Sequence, residues 1–182
     1  IPAINAKTVS HTFSAPEGCL YATQFTQPAL ILQELASYAD LEARGLLPGE
    51  GEKIFAGHSL GEVAALHVGG AMDRDTLSEI VCARGESMQV PSQQDGAMAA
   101  VLGDGAGDIQ MDPATTNCVV ANRNSPGQSV ISGPAADVAD MSARLVAQGF
   151  KVRALAVGGA FHSPLMAPAA ERFAGHVRRA AA

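Results

Sequence analysis

The arrangement of apolar and polar positions in the first half of the chain predicts three helices and one short strand. Helix-favouring residues follow Pro28, which suits a first helical position, and Gly45 suits the position just past a helix end. Residues 53–56 form a short apolar run, which is typical of a buried strand. The segment 73–88 carries apolar side chains along one face at the helical period. The predicted helices cover 28–44, 62–70 and 73–88.

After Pro91 the pattern changes to short strands separated by turns. The predicted strands cover 97–102, 118–122, 128–132 and 151–157. A helix over 134–148 precedes the last of them and is ended by Gly149. The Gly- and Asp-rich stretch 103–112 stands where a first helix would be expected. The order resembles the split βαβ pattern of ferredoxin-like domains.

Length and composition fit one domain that carries a small subdomain. The chain has 182 residues, 47% of them hydrophobic, which is enough for a real core. We predict a ferredoxin-like (α+β) subdomain over 95–158 and a catalytic core made of 1–94 and 159–182. The final helix of that core is expected to begin near Pro168. Because the chain opens at Ile1 rather than Met, we expect it to be a piece of a longer protein.

Charge and hydropathy exclude two classes of partner. Twelve Lys and Arg residues against eighteen Asp and Glu leave a formal net charge of −6, with no basic stripe for nucleic acid. No apolar run approaches the roughly 20 residues that span a bilayer, so no membrane is expected. Cys19, Cys82 and Cys118 lie far apart without a CxxC pair, which argues against a zinc site or disulfide scaffold. We predict buried reduced thiols in a cytoplasmic protein.

The strongest chemical signal is the sequence Gly57-His58-Ser59-Leu60-Gly61, between the predicted strand and a predicted helix. Two glycines without Cβ atoms let the backbone turn sharply and pack closely beside the serine. Such a turn presents Ser59 as a nucleophile at a helix N-terminus, with the Leu60 N–H placed to stabilise an oxyanion. The alternative is a glycine-rich turn with an incidental serine.

A serine nucleophile needs a general base, and His162 is the best candidate. It lies in a loop just past a predicted strand, where a side chain can be aimed into a cleft. His58 is adjacent to the serine, so we expect it to support the turn or touch the substrate. Asp104 is the only acid with roughly the chain position of a third triad member. We do not assign it, because its flanking glycines are equally typical of a mobile turn, and a backbone carbonyl could hold the imidazole instead. The remaining histidines, which are expected to be structural or surface residues, are His11, His67 and His176.

Arg84 occupies the apolar face of its predicted helix, three residues after Val81 and four before Met88. A guanidinium that faces inward is costly unless it meets an anion, and its fork suits a carboxylate. One interpretation is a structural ion pair with a residue such as Glu62. The other is a clamp on the free carboxylate of a dicarboxylic substrate, which favours an acyl group such as malonyl.

Five co-linear segments together resemble a known family. The segments are 22–30 (ATQFTQPAL), 57–62 (GHSLGE), 84–85 (RG), 121–128 (ANRNSPGQ) and 159–163 (GAFHS). They resemble malonyl-CoA:acyl-carrier-protein transacylases, the family that includes the acyltransferase domains of fatty acid and polyketide synthases. The resemblance covers about residues 20–175.

The resemblance implies an α/β-hydrolase-like core with an inserted ferredoxin-like subdomain, and a role for each matched residue. Ser59 would be the nucleophile, His162 the base and Arg84 the carboxylate clamp, with an oxyanion donor in the Leu60 N–H. Phe161 and the side chain of Leu60 favour malonyl over methylmalonyl. The positions that match residues lining or bracing the family's site are Gln24, Gln27 and Asn122.

The implied reaction is ping-pong transfer of a malonyl group from malonyl-CoA, through Ser59, to the phosphopantetheine thiol of an acyl carrier protein. It needs no metal and no tightly bound cofactor, and neighbouring synthase domains are expected partners. Two alternatives stay open, a serine hydrolase or thioesterase and a non-catalytic scaffold within a synthase. Residues 1–20 do not match the family's opening strand and Gly-Gln-Gly loop, and the family continues past the final helix. We therefore expect the chain to be incomplete at both ends.

Overall fold

The computed structural model describes residues 22–49, 51–89 and 95–180, which separate into two units. The first unit takes the residues up to Gln89 and from Arg172 onwards, and the second lies between them. The expected mismatch with the family's opening strand falls on residues 1–20, outside the described part of the chain.

Three helices build most of the first unit, and they confirm three predicted helices in kind. They are α1 (Thr23–Ala43), α2 (Gly61–Val68) and α3 (Arg74–Ser87). The start of α3 follows from its cap, because the Asp73 carboxylate accepts a hydrogen bond from the Thr76 N–H at 2.8 Å. The helices share one apolar core, in which Ile31, Leu77 and Val81 are fully buried. None of the helices in the described residues is both long and apolar enough to cross a membrane.

Helix α1 begins five residues earlier than Pro28, so the predicted start was wrong. Proline has no N–H to donate, but one missing bond near a helix N-terminus is tolerated. The first turn is held by the carbonyl of Ala22, which accepts from the N–H groups of Phe25 and Thr26 and from the Thr26 hydroxyl. Burial of Gln27 and Pro28 further stabilises this turn.

The predicted buried strand over 53–56 is also wrong within the described residues. This segment is extended, but it belongs to no sheet, and the Ile54 side chain is 95% exposed. A strand needs a neighbour to satisfy its backbone groups. No segment of the described chain lies beside it as a ladder partner.

The second unit contains a four-stranded antiparallel sheet with a helix packed against one face. Its strands are β1 (Gly96–Leu102), β2 (Val119–Ser125), β3 (Gln128–Pro134) and β4 (Lys151–Ala154), in the order β2-β3-β1-β4. The helix α4 (Ala135–Ala147) places Val138, Met141 and Leu145 against alternate residues of β1 and β3, such as Val101 and Ile131. The four predicted strands are confirmed, although β4 ends three residues early.

Short helical turns take the place of a first helix and lead out of the sheet. The expected irregular stretch 103–112 contains only a 3₁₀ turn over Ala106–Asp108. A second 3₁₀ turn, Pro164–Met166, leads into the final helix α5 (Ala167–Ala180), close to the predicted start at Pro168. Gly149 ends α4 with a φ of +96°, which an L side chain rarely adopts.

Cys118 is expected to be nearly inert toward thiol reagents in the folded protein. Burial and the charge of Asp137 raise the pKa of its thiol to about 11, and only 2% of the residue is exposed. Since the thiolate is the reactive form, alkylation with iodoacetamide at pH 8 should be at least about a hundredfold slower than in urea. As long as the pH stays below that pKa, the rate in the folded protein should rise about tenfold for each unit by which the pH is increased. Comparable rates in the folded and unfolded protein would contradict this.

Candidate active site

The turn before α2 holds Ser59 in a strained conformation. Its φ is +53°, and the only other non-glycine residue with a positive φ in the described part of the chain is His162. Positive φ is sterically costly for a residue with a Cβ, and such strain concentrates at functional sites. The two positions are those predicted from sequence as nucleophile and base.

The two glycines of this turn are not equivalent. A Cβ on Gly57 would lie 2.0 Å from the backbone carbon and oxygen of Gly61 and 2.3 Å from the nitrogen of Glu62. A Cβ on Gly61 would meet no heavy atom of the described residues within 4 Å. Within the part of the chain that the structure describes, the predicted close packing therefore depends on Gly57 and not on Gly61.

The N-terminus of α2 offers a backbone donor next to the serine. The N–H groups of Gly61, Glu62 and Val63 donate to the carbonyls of the three preceding turn residues. Within the described residues, the Leu60 N–H donates no backbone hydrogen bond, as expected for the first turn of a helix. Its side chain is 7% exposed and packs in the core, so this N–H is held in place by burial.

Arg84 directs its guanidinium at the serine. Its Nη2 donates to the Ser59 Oγ at 3.2 Å, and its Nη1 donates to the Gln27 Oε1 at 2.6 Å. Burial lowers the pKa of this guanidinium, and the charge of Glu62 opposes the shift. Among the described residues Arg84 forms no ion pair, so the alternative interpretation, a structural salt bridge with a residue such as Glu62, is not observed there.

Gln27 links Arg84 to two further side chains. The residue is 5% exposed, and its Nε2 donates to the Thr23 Oγ1 at 2.5 Å and to the Met88 Sδ at 3.1 Å. Gln27 was predicted as a site position, but these contacts were not predicted. The spacing was a usable signal, because Thr23 and Gln27 are four residues apart on one helix, as Arg84 and Met88 are on another.

Gly85 allows α1 and α3 to approach closely enough for these contacts. A Cβ on Gly85 would lie 3.0 Å from the Gln24 Cα and 3.0 Å from the Thr23 carbonyl oxygen. The predicted site residue Gln24 is thus half-buried where the two helices touch.

Gly85→Ala is expected to destabilise the protein by about 1–3 kcal/mol, because backbone atoms of α1 must move to admit the methyl group. The free energy of unfolding in urea measures this loss. A variant as stable as the wild type would show that the helices can separate at no cost.

The second unit carries three predicted site residues, His162, Phe161 and Asn122. His162 is exposed and has a φ of +59°, just before the turn Pro164–Met166. Ser163 stabilises that turn, since its hydroxyl donates to the Ala160 carbonyl at 2.7 Å and accepts from the Leu165 N–H. The preceding residue, Phe161, is half-buried, as is Asn122 on β2. Asn122 lies at an irregularity of the β2–β3 register.

The other described histidines take different places. His58 is exposed and lines a groove of about 380 Å³ with Glu34, Tyr38 and Phe55. His67 is half-buried and bonds through Nδ1 with the Met72 carbonyl at 2.9 Å, which fits the expected structural role. His176 contacts Arg179 on α5 at 2.9 Å.

Comparisons with known proteins identify related domains. The family model described as "Acyl transferase domain" matches residues 6–182. The chain is 39% identical to a polyunsaturated fatty acid synthase subunit of Thraustochytrium sp. over 154 residues, which are 83% of the chain. The acyltransferase domain of the second module of the salinomycin polyketide synthase is 35% identical, with a TM-score of 0.82 over 99% of the chain. The malonyl CoA-acyl carrier protein transacylase of Burkholderia pseudomallei is 35% identical, with a TM-score of 0.81 over 98%.

The chain spans only part of each of these relatives. It covers 5% of the Thraustochytrium synthase subunit, 41% of the salinomycin synthase chain and 61% of the Burkholderia transacylase. The mixed helices and small sheet described above match the architecture of these solved acyltransferase structures over nearly the whole chain.

Proposed function

Because this chain belongs to the family of acyl transferase domains, we propose that it transfers malonyl groups from malonyl-CoA to an acyl carrier protein through an ester on Ser59. The acceptor would be the phosphopantetheine thiol, and neighbouring synthase domains would be partners. The names of the Thraustochytrium and salinomycin synthases support a place in fatty acid or polyketide synthesis, and that of the Burkholderia transacylase supports malonyl transfer.

The observation that carries the proposal is the contact between Arg84 and Ser59. A guanidinium within 3.2 Å of a nucleophilic oxygen can reach a carboxylate two carbons beyond the ester carbonyl. A simple alkanoyl group has no charge that could pair with the guanidinium, whereas a malonyl group has a free carboxylate. This supports a dicarboxylic acyl group as the substrate.

In the proposed reaction, His162 accepts the proton of the Ser59 hydroxyl as its oxygen attacks the thioester carbonyl. The Leu60 N–H stabilises the negative oxygen of the tetrahedral intermediate. The C–S bond then breaks, coenzyme A leaves as the thiol with the proton from His162, and Ser59 holds a malonyl ester. The carrier thiol gives its proton to His162 and attacks the ester carbonyl. The C–O bond to Ser59 then breaks, His162 returns the proton to the Ser59 oxygen, and the malonyl group leaves as a thioester of the carrier. No metal or tightly bound cofactor takes part in this scheme, and Phe161, Asn122, His58 and Gln24 would line the substrate site.

The fold that we propose for the intact domain is an α/β-hydrolase-like core with an inserted ferredoxin-like subdomain. The strand order β2-β3-β1-β4, with α4 on one face, supports the second part. The sharp turn of Gly57 and Ser59 into α2 supports the first.

Single-turnover discharge tests the acceptor. The malonyl-enzyme, freed of malonyl-CoA, is mixed either with buffer or with a phosphopantetheinylated carrier protein, and the lifetime of the ester is followed by mass. A transferase keeps the ester in buffer and loses it to the carrier. Equal loss in both would identify a hydrolase or thioesterase, and binding of carrier without any ester would identify a scaffold. The same carrier lacking phosphopantetheine is the control.

A further inference from the structure

We propose that Gln27 is a positioning residue that holds the Arg84 guanidinium in place beside Ser59. The inference rests on the proposed function and deepens it, because it assigns the acyl selectivity of the site to a residue that need not touch the substrate. Its basis is the chain of contacts Thr23–Gln27–Arg84–Ser59, with Met88 beside it.

The partners of Gln27 determine the orientation of its amide. A guanidinium can only donate hydrogen bonds, and a thioether sulfur can only accept them. With Oε1 on Arg84 and Nε2 on Met88 and Thr23, each donor meets an acceptor. Rotating the amide by half a turn would set two donors against each other at Arg84 and two acceptors against each other at Met88. At 5% exposure, water cannot relieve that conflict cheaply.

A fixed amide in turn fixes the guanidinium. The 2.6 Å bond from Nη1 to Gln27 leaves Nη2 directed at the Ser59 Oγ, and turning or shifting the guanidinium away from this position would break the bond to Gln27. An arginine side chain has large rotamer freedom, and part of that entropy is already lost before substrate binds. The carboxylate of an acyl group on Ser59 therefore meets a donor that needs no reorganisation.

The neutrality of Gln27 matters as much as its geometry. It orients Arg84 without neutralising it, and the guanidinium forms no ion pair among the described residues. A glutamate at the same position would hold the same fork but would compete with the carboxylate of the substrate. We therefore expect Gln27→Glu to lower malonyl use at neutral pH, and the loss to diminish as the pH falls and the new carboxylate is protonated.

The test compares acylation by malonyl-CoA and by acetyl-CoA in the purified protein, with kcat and KM measured for each. For Gln27→Leu we expect the malonyl kcat/KM to fall roughly tenfold or more, and the acetyl value to change less than about twofold. Gln33→Leu makes the same chemical change on the exposed side of α1 and should behave as the wild type. If the leucine variant unfolds, Gln27→Glu, which keeps size and shape, supplies the comparison.

Equal loss with both acyl donors in Gln27→Leu would overturn the inference, because a merely structural role would not discriminate between them. Wild-type values with both acyl donors in a folded variant would also overturn it. Either outcome would leave the proposed function unaffected. A wild-type protein that malonyl-CoA never acylates would overturn the proposed function, and this inference with it.

Discussion

Replacing Gly57 with alanine is expected to abolish acylation of Ser59 and to lower the free energy of unfolding by about 3 kcal/mol or more. The new Cβ would lie 2.0 Å from two backbone atoms of Gly61, and backbone atoms cannot swing away as a side-chain end can. The turn must therefore open, which moves the serine off the N-terminus of α2. Urea unfolding and the mass of the protein after incubation with malonyl-CoA measure the two effects.

Gly61→Ala is the matched control for this variant. The residue lies in the first turn of α2, and its Cβ would meet nothing in the described residues. Since alanine favours helix over glycine by up to about 1 kcal/mol, the variant should be as stable as the wild type or more stable. Wild-type stability and acylation in Gly57→Ala, or equal losses of stability and acylation in both variants, would contradict the account of the turn.

Removing the Arg84 side chain is expected to reverse the acyl preference. In Arg84→Ala the malonyl kcat/KM should fall roughly a hundredfold to a thousandfold, because a buried carboxylate loses its charged partner. Acetyl transfer has no carboxylate to lose and should hold or rise. The competing acylation of one sample by malonyl-CoA and acetyl-CoA, resolved by mass, measures the preference directly.

Arg74→Ala tests whether any positive charge on α3 would suffice. Arg74 is exposed at the start of the same helix, so its removal changes net charge equally without touching the serine. We expect wild-type preference. A comparable malonyl loss in this control would mean that long-range attraction, and not the contact at 3.2 Å, governs substrate choice.

Local signals predicted much of the fold. The extent of α3 followed from the apolar face of residues 73–88, and the end of α4 followed from Gly149, because both signals lie within the helix or directly beside it. The start of α1 did not follow from Pro28, since burial and the hydrogen bonds to Ala22 outweigh one missing donor. Residues 53–56 have the composition of a strand, yet a strand exists only where a neighbour pairs with it.

Part of the candidate site could likewise be predicted from the sequence, and part could not. Ser59, His162 and Arg84 were predicted because motif and helical face are readable along the chain. The strain shared by Ser59 and His162 and the bond between Arg84 and Gln27 were not, since a face does not specify its partner 57 residues away. The different tolerance of Gly57 and Gly61 for a Cβ likewise depends on which atoms lie nearby, and the sequence pattern does not specify those atoms.

Mapping the acyl group by mass tests the central claim most directly. Trypsin releases residues 54–74 as one peptide, in which Ser59 is the only hydroxyl side chain and no cysteine occurs. After brief incubation with malonyl-CoA we predict one malonyl group on this peptide, and none in Ser59→Ala. A malonyl group on another peptide, or an unlabelled but folded wild-type protein, would contradict the assignment of Ser59 as the nucleophile of a malonyl transferase.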